Sequence, residues 1–331
     1  DQLTTEIDRV SETTKFNETY LLKGEAGTKT INMKAHDAGL KGTLTDNGDG
    51  TATFVMDSLK DGDSVSIGGK TYTIGSKKDD VVAAVGAKIT AAGQKFTVNG
   101  QEITIVDNYA DKDTEQKAGK YTVADAKALV KDGATVKLGT DEYKVMTDKD
   151  TNGIDDTDAS VISKDVAYGL ASKELLAANQ IGDTKGSAKV ADAGAKADGS
   201  FKITTGQAEV ANSLSFSLHV GADADMTNKI QVNIDAMDSA SLGIKGLNVK
   251  DASGNAATYA VDAISDAISK VSSQRSSLGA VQNRLEHTIN NLDNVVENTT
   301  TAESRIRDTD MAEEMVNYSK NNILAQAGQS M

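Results

Sequence analysis

The sequence predicts an α+β protein in which both chain ends form a helical rod and the middle forms a β-rich region. Three observations support this fold class. Aliphatic residues near the C terminus recur at heptad spacing, several central segments alternate between apolar and polar residues, and all five arginines lie before residue 25 or after residue 270. A period of 3.5 residues is typical of a coiled-coil-like helix, and a period of 2 is typical of strands.

The heptad seam extends along the C-terminal segment. Nine of its twelve positions are aliphatic, and the positions are Val261, Ile264, Ile268, Val271, Arg275, Leu278, Gln282, Leu285, Ile289, Leu292, Val296 and Thr299. A shorter stripe begins near the N terminus. An apolar stripe on a short helix cannot bury itself, so we expect the two helices to pack as an antiparallel coiled-coil-like rod. The rod-packing residues predicted from the two stripes are Leu3, Ile7, Val10, Leu278, Leu285, Ile289 and Leu292.

The central region shows the signals of strands, hairpins and short helices. Alternation predicts strands over residues 51–55, 64–74, 95–106, 135–145 and 214–220, and short helices are expected over 79–92 and 123–131. The pairs Gly68-Gly69 and Asn99-Gly100 predict two-residue hairpin turns. Residues 60–79 also match residues 131–150 at a constant offset of 71. An internal duplication of a hairpin explains this match, and convergent hairpin chemistry is the alternative.

Composition excludes several functional classes. The net charge of −14 disfavours nucleic acid and membrane surfaces as partners, because both would repel the chain. With no cysteine, disulfides and thiolate metal sites are impossible. The histidines His36, His219 and His287 lack metal-ligand spacing, and no nucleophile elbow or phosphate-binding loop occurs. The sequence therefore predicts neither an enzyme nor a protein that binds a cofactor.

The one metal candidate is an acidic loop in the central region. Asp148, Asp150 and Asn152 stand at positions one, three and five of a calcium-binding loop, and Asp156 stands at position nine. Position twelve is Ala159, where a bidentate glutamate belongs. An Asx-rich turn accounts for the same residues, so both interpretations stay open.

Four motifs, in order along the chain, resemble bacterial flagellin. They are EIDRV…FN at 6–17, LHVGADAD at 218–225, ASLG at 240–243 and LGAVQNRLEHTINNL at 278–292. The resemblance covers residues 1–24 and 215–331, which we assign to the rod, and leaves 25–214 as a variable outer region. One departure is Glu18, which follows the FN pair where the family usually has glycine.

The outer region consists of one lobe or of two. If there are two, we expect the first to combine residues 25–60 with 186–214 and the second to comprise 61–185.

The flagellin resemblance implies a structural function. In that family the terminal helices pair into a rod with a β-hairpin, and the rods self-assemble into the extracellular filament of the bacterial flagellum, which serves motility. The implied partners are other flagellin subunits and the innate immune receptor Toll-like receptor 5, whose contact motif matches Gln282, Asn283 and Arg284. Flagellins also have helical segments beyond both matched ends, so we expect this chain to be truncated and to lack the terminal filament-core helices.

Two alternative functions fit the same sequence. A secreted coiled-coil adhesin of the cell surface could be built on a similar rod. A flagellin could also bind calcium or a glycan through its outer region. Filaments seen by electron microscopy would separate a flagellin from an adhesin.

Overall fold

The structure of the protein is a computed structural model that describes residues 2–192, 199–221, 228–250 and 254–330. It contains both helices and sheets, which confirms the α+β class. Contacts divide the chain into two units, Asp1–Asn212 with Ala236–Lys270 and Ser213–Asp235 with Val271–Met331. The division into a rod and an outer region at residues 25–214 rests on composition and resemblance, and it stays a prediction about which parts fold together.

The first unit holds most of the sheet structure. Its helices are α1 (Gln2–Thr13), α2 (Lys78–Lys88), α3 (Lys112–Lys117), α4 (Val123–Ala128), α5 (Lys164–Asn179) and α6 (Ser239–Leu242). Its strands are β1 (Lys15–Phe16), β2 (Thr19–Tyr20), β3 (Glu25–Asn32), β4 (Gly42–Asp46), β5 (Thr51–Met56), β6 (Ser64–Ile67), β7 (Lys70–Ser76), β8 (Lys95–Val98), β9 (Gln101–Ile105), β10 (Lys120–Tyr121), β11 (Thr135–Leu138), β12 (Asp141–Val145), β13 (Val161–Ile162), β14 (Lys189–Asp192), β15 (Ser200–Thr204) and β16 (Gln207–Asn212).

The second unit contains a hairpin and a long helix. The strands β17 (Leu214–His219) and β18 (Lys229–Ile234) pair antiparallel, with Phe216 opposite Val232. The helix α7 (Asn255–Gln329) begins among residues of the first unit and supplies most of the second. The Gln274 side-chain amide donates to the Asn233 carbonyl at 2.9 Å, which fastens the hairpin to the helix.

An aromatic core joins a four-stranded sheet to α5. The sheet has the order β14-β15-β5-β4, and its inward side chains include Phe54 and Phe201, whose rings stack with centroids 6.3 Å apart. Tyr168 of α5 meets Phe201 edge-on at 6.2 Å. The other fully buried members of this first core include Ile74, Ile162, Leu175 and Ile203. Such a core supplies most of the stability of a domain of this size.

A second core lies on one face of an eight-stranded sheet. The sheet has the order β10-β9-β8-β11-β12-β7-β13, with β6 added on β7. The helices α2 and α4 contribute to this second core, and its buried residues are Val81, Val85, Ile89, Phe96, Val98, Ile103, Ile105, Ala126, Val130, Ala134, Val136, Leu138 and Val145. The short helices expected from the sequence at these two places are confirmed, although α2 ends four residues before the predicted end.

The two cores do not follow the lobe boundary proposed at residues 60 and 61. Phe54 and Met56, from the proposed first lobe, share the first core with Ile67 and Leu175 from the proposed second lobe. Residues between 81 and 145 form the second core on their own.

The two repeat copies fold into hairpins with the same register. In the first copy Val65 pairs with Tyr72 and Ile67 with Lys70, and in the second copy Val136 pairs with Tyr143 and Leu138 with Asp141. Each of these pairs recurs at the offset of 71 seen in the sequence. Because register fixes which side chains face the core, the shared register supports a common origin of the two hairpins.

A third hairpin, over residues 90–105, shares the backbone pattern of the two copies. The equivalent hydrogen bonds run from Gly62 N–H to Ile74 C=O at 2.8 Å, from Gly93 N–H to Ile105 C=O at 2.8 Å and from Gly133 N–H to Val145 C=O at 3.0 Å. The three glycines have φ values of 82°, 86° and 78°, a left-handed conformation that glycine adopts without strain. The sequence repeat does not include this hairpin, which opens with Ala-Ala-Gly where the two copies have Lys-Asp-Gly.

The turn between β1 and β2 forms with two residues in the left-handed region. Asn17 has φ 48° and Glu18 has φ 66°, the signs expected of a type I′ hairpin turn. Asparagine tolerates this conformation, whereas the Cβ of glutamate makes it costly. The glycine that the family usually has after the FN pair would therefore suit this geometry better than Glu18.

Replacing Glu18 by glycine is expected to raise the free energy of unfolding of the first unit by about 0.5–1 kcal/mol. The gain in stability equals the strain energy removed at the left-handed residue, minus the free-energy cost of ordering glycine, which is more flexible in the unfolded chain. Urea denaturation followed by circular dichroism measures it. The control is Glu18→Ala, which removes the same carboxylate but keeps a Cβ. Equal stability of the glycine and alanine variants would contradict strain at this turn.

Candidate assembly surface

The C-terminal helix carries an extensive set of apolar side chains exposed to solvent. In the second unit they are Val271, Ile289, Val295, Val296, Ile306, Met311, Met315, Val316, Tyr318, Ile323 and Leu324. Ile289 of the predicted seam is 56% exposed, while its neighbours Leu278, Leu285 and Leu292 are half-buried. A long apolar stripe that remains exposed is typical of a surface that binds another helix or another protein.

The last turns of α7 extend this surface beyond the residues predicted from the heptad seam. Met315, Val316, Ile323 and Leu324 cluster on one side, with Lys320 beside them. Their spacing of seven and eight residues is that of one helical face. A search for a period of 3.6 residues, in place of the strict heptad, would have found Val316, Ile323 and Leu324.

Where α7 begins, it packs through small residues and leaves its branched residues outside. The buried positions are Tyr259, Ala260, Ala263 and Ala267. The exposed positions are Val261, Ile264 and Ile268, the first three of the predicted seam. Alanine lets a helix approach its neighbour closely, and this explains why the small residues face inward within the first unit.

The N-terminal stripe is only partly covered within the first unit. Ile7 packs against Leu242 and Ile244, whereas Leu3 is 81% exposed and Val10 is also exposed. The helix α1 is held by Asp8, whose carboxylate accepts the Ser239 N–H at 2.7 Å and the Ser239 hydroxyl at 3.0 Å. The pairing of this stripe with Leu278, Leu285, Ile289 and Leu292 stays a prediction.

The three residues of the proposed receptor motif lie side by side on α7. Gln282, Asn283 and Arg284 are all exposed. The Gln282 amide donates to the Glu286 carboxylate at 3.0 Å, one helical turn further on. The motif is therefore accessible, and its amide and guanidinium groups could donate hydrogen bonds to a partner.

The acidic loop uses its predicted calcium ligands to bind its own backbone. Asp148 accepts from the Gly153 N–H at 3.0 Å, Asp150 from the Asn152 N–H at 3.3 Å, Asn152 from the Ile154 N–H at 2.7 Å and Asp156 from the Lys149 N–H at 3.1 Å. Across the described ranges no group of three His, Asp or Glu side chains is placed to hold a metal ion. These contacts are those of the Asx-rich turn that the sequence left as the alternative.

The buried carboxylate of the acidic loop is Asp155, which the sequence analysis did not single out. It is 4% exposed and accepts hydrogen bonds from the Thr147, Thr157 and Asp158 N–H groups and from the Thr157 hydroxyl. Burial alone would raise the pKa of Asp155, but these donors together hold the pKa below its usual value. The Asp155 carboxylate therefore stabilises the conformation of the loop by accepting hydrogen bonds from its backbone.

The histidines are dispersed. His36 lies 3.6 Å from Asp266, and His219 and His287 are exposed. In the part of the chain that the structure describes, no helix combines the length and apolarity needed to cross a membrane. The main feature of the described surface is therefore the row of exposed apolar side chains on α7.

Comparison with known proteins identifies the class of structural protein. The family described as "Bacterial flagellin C-terminal helical region" matches residues 261–331. The protein YvzB of Bacillus subtilis (strain 168), named as a flagellin, is 53% identical over 116 residues, which is 35% of this chain and 71% of that protein. This chain belongs to the flagellin family, whose members are structural proteins and not enzymes.

Two longer relatives support the same assignment. The flagellin of Bacillus subtilis (strain 168) is 47% identical over 154 residues, covering 40% of this chain and 49% of that protein. The "Flagellar filament 31.3 kDa core protein" of Treponema maltophilum is 42% identical over 137 residues, covering 40% and 46%. The chain thus spans about half the length of these two relatives.

Proposed function

We propose that this chain serves as a structural subunit of the bacterial flagellar filament, outside the cell, where it self-assembles for motility. Its main partners are then other flagellin subunits. The observation that carries this proposal is the exposed apolar surface of α7, because a filament subunit needs such a surface for its neighbours. One relative named flagellin and one named as a flagellar filament core protein support it.

Burial of the exposed apolar side chains of α7 against a partner would be more favourable than their exposure to water. Burying a single aliphatic side chain contributes about 1.5–3 kcal/mol, and Ile289, Val296 and Ile306 are each more than half exposed. A helix that presented only a solvated face would have charged residues at these positions. The apolar stripe therefore supports a partner that covers it in the assembled state.

We assign the rod contacts to the two stripes described above. The proposed packing residues are Leu3, Ile7, Val10, Leu278, Leu285, Ile289 and Leu292. Leu3 and Ile289 are the most sensitive reporters of packing, because both are exposed in the single chain. Residues 25–214 are proposed to form the surface-exposed outer region.

The test replaces Ile289 by aspartate in the flagellin gene of the bacterium that makes this protein. A charge on the stripe is expected to abolish filaments seen by electron microscopy, because an unpaired carboxylate cannot be buried between helices. The matched control is His287→Asp, on the same helix and also exposed. Circular dichroism of the purified variants checks that both remain folded.

Three outcomes of this test are informative. Loss of filaments for Ile289→Asp alone supports the proposal. Normal filaments for both variants would show that the stripe at Ile289 is not used in assembly. If the unchanged bacterium displays the protein at its surface without filaments, the adhesin alternative is correct.

A second partner is Toll-like receptor 5, which we propose contacts Gln282, Asn283 and Arg284. The exposure of all three side chains on one segment of α7 favours this contact. Arginine and amide groups suit the polar rim of such an interface.

Binding of the receptor ectodomain to the immobilised protein tests this contact. Arg284→Ala is expected to weaken binding about tenfold, which corresponds to about 1.4 kcal/mol. The control is Arg307→Ala, since Arg307 is also exposed and pairs with Glu303 at 2.7 Å on its own helix. Equal affinities of the two variants would rule out a specific role for Arg284.

A further inference from the structure

The second core is built from one continuous stretch of sequence. All of its buried residues lie between Val81 and Val145. The buried residues of the first core lie before this stretch, at Ile74 and earlier, or after it, at Ile162 and later. A stretch that buries its own apolar residues separately has the first property of an independently folding lobe.

The sheet of this stretch turns a polar face to solvent. On that face Lys95 pairs with Glu102 at 2.7 Å and Lys137 pairs with Glu142 at 2.9 Å. Exposed ion pairs of this kind add little stability, but they show that this face of the sheet is polar and exposed to solvent. The ion-paired side chains are about half exposed, so this face of the stretch does not cover the first core.

The chain enters and leaves this stretch at adjacent strands. The strands β7 and β12 run parallel, with Val145 opposite Ser76, and the Met146 N–H donates to the Ser76 carbonyl at 2.9 Å. Gly75 permits this approach, since a Cβ there would lie 2.3 Å from Cγ of Met146. Entry and exit points that lie side by side are typical of an inserted lobe.

The internal repeat places the two boundaries at equivalent positions. Gly75 and Met146 stand at the offset of 71 that relates the two hairpin copies, and they contact each other. Recombination between the copies would thus delete or add the stretch in frame, and one complete hairpin would remain after a deletion.

We propose that residues 77–146 form a self-contained lobe that the protein can lose while the rest of the chain keeps its fold. The lobe is an exchangeable part of the protein surface, bounded by a hairpin that is present in two copies. If the chain acts as a filament subunit, as proposed above, the outer surface can change by the whole lobe without any change in α7. The claim about folding does not depend on that function.

The test is the chain without residues 79–146, in which Lys77 and Lys78 bridge Ser76 to Thr147. Three Cα–Cα steps reach about 10 Å, enough to connect neighbouring strands. We expect this chain to unfold cooperatively in urea with a midpoint close to that of the full chain. The control removes an equal length, residues 95–162, and is expected to unfold because it takes Ile162 and β13 from the first core.

A measurement on the full chain provides a second arm. Val136 is completely buried in the second core, so Val136→Asp should unfold the lobe alone. Trypsin is then expected to cut within residues 77–146 and to leave the remainder resistant. The ring signals of Tyr109, Tyr121 and Tyr143 should collapse in the NMR spectrum, while those of Tyr168 and Tyr259 should persist.

Either of two results would overturn the proposal. The chain without residues 79–146 would show no cooperative transition, or Val136→Asp would make the whole first unit sensitive to trypsin. Neither result would bear on filament formation, which is tested separately at Ile289.

Discussion

Replacing Phe201 by alanine is expected to lower the free energy of unfolding of the first unit by about 3–5 kcal/mol. The side chain is fully buried, stacks on Phe54 and meets Tyr168 edge-on. Its removal deletes a large apolar group and leaves a cavity lined by the rings of Phe54 on β5 and Tyr168 on α5. Urea denaturation followed by circular dichroism and tyrosine fluorescence measures the change.

The matched control is Phe16→Ala. Phe16 is 75% exposed in the short β1–β2 hairpin, so the same substitution removes little buried area. Its effect is expected to be within about ±0.5 kcal/mol. A loss of less than about 1 kcal/mol at Phe201 would contradict this prediction and would mean that the aromatic core can collapse around the missing ring.

The strands were largely predictable because alternation and turn chemistry are local signals. The segments 51–55, 64–74, 95–106, 135–145 and 214–220 all lie on strands or hairpins of the structure. In each, β-branched or aromatic residues alternate with polar ones. In 64–74, 95–106 and 135–145 a two-residue turn also sets the register of the hairpin. The hairpins were therefore largely predictable from the sequence, whereas the pairing of one hairpin with another was not.

Helix α5 was missed because its buried face is made of small residues. The inward positions are Ala167, Tyr168, Ala171, Leu175 and Ala178. Alanine contributes little to an apolar pattern, although its spacing of three and four is helical. The available signal was Ser163, whose hydroxyl accepts the Val166 N–H and caps the helix.

The parallel pairing of β7 with β12 could not be predicted. It depends on two residues of each strand and on the absence of a side chain at Gly75, which gives Met146 room to cross. Nothing in the local sequence distinguishes this glycine from those that occur in turns. Long-range contacts of this kind follow from packing and not from propensity.

For the candidate surface, the sequence identified the apolar stripe but could not show what covers it. A heptad pattern predicts that a helix has an apolar face. The pattern does not show whether that face contacts the same chain or another chain. The structure adds that Ile289 and Leu3 are exposed in the single chain. The acidic loop shows the reverse case, since the predicted ligands bind backbone while the carboxylate that matters most for structure is Asp155.

Replacing Asp155 by asparagine is expected to lower the free energy of unfolding at pH 7 by about 2–3 kcal/mol. One carboxylate oxygen accepts the Thr147 N–H at 2.8 Å, and the other accepts the Thr157 and Asp158 N–H groups at 2.8 and 3.0 Å. An amide has the same shape but only one oxygen, so at least one donor would face an NH₂ group. Hydrogen bonds to a charged acceptor contribute about 1.5–3 kcal/mol each, and their losses are not additive.

The effect should depend on pH in a direction set by the lowered pKa of Asp155. Hydrogen-bond donors hold that pKa below its value in the unfolded chain, against the opposing effect of burial. The carboxylate therefore stabilises the fold fully above the unfolded-state pKa of about 3.9, and this contribution is lost as the pH falls through the folded-state pKa. The difference in urea midpoint between Asp155→Asn and the unchanged protein should accordingly be smaller at pH 3 than at pH 7.

The control is Asp156→Asn, an exposed neighbour whose amide oxygen can still accept the Lys149 N–H. This substitution should change the free energy of unfolding by no more than about 0.5 kcal/mol. Equal effects at the two positions would show that Asp155 holds no special place in the loop.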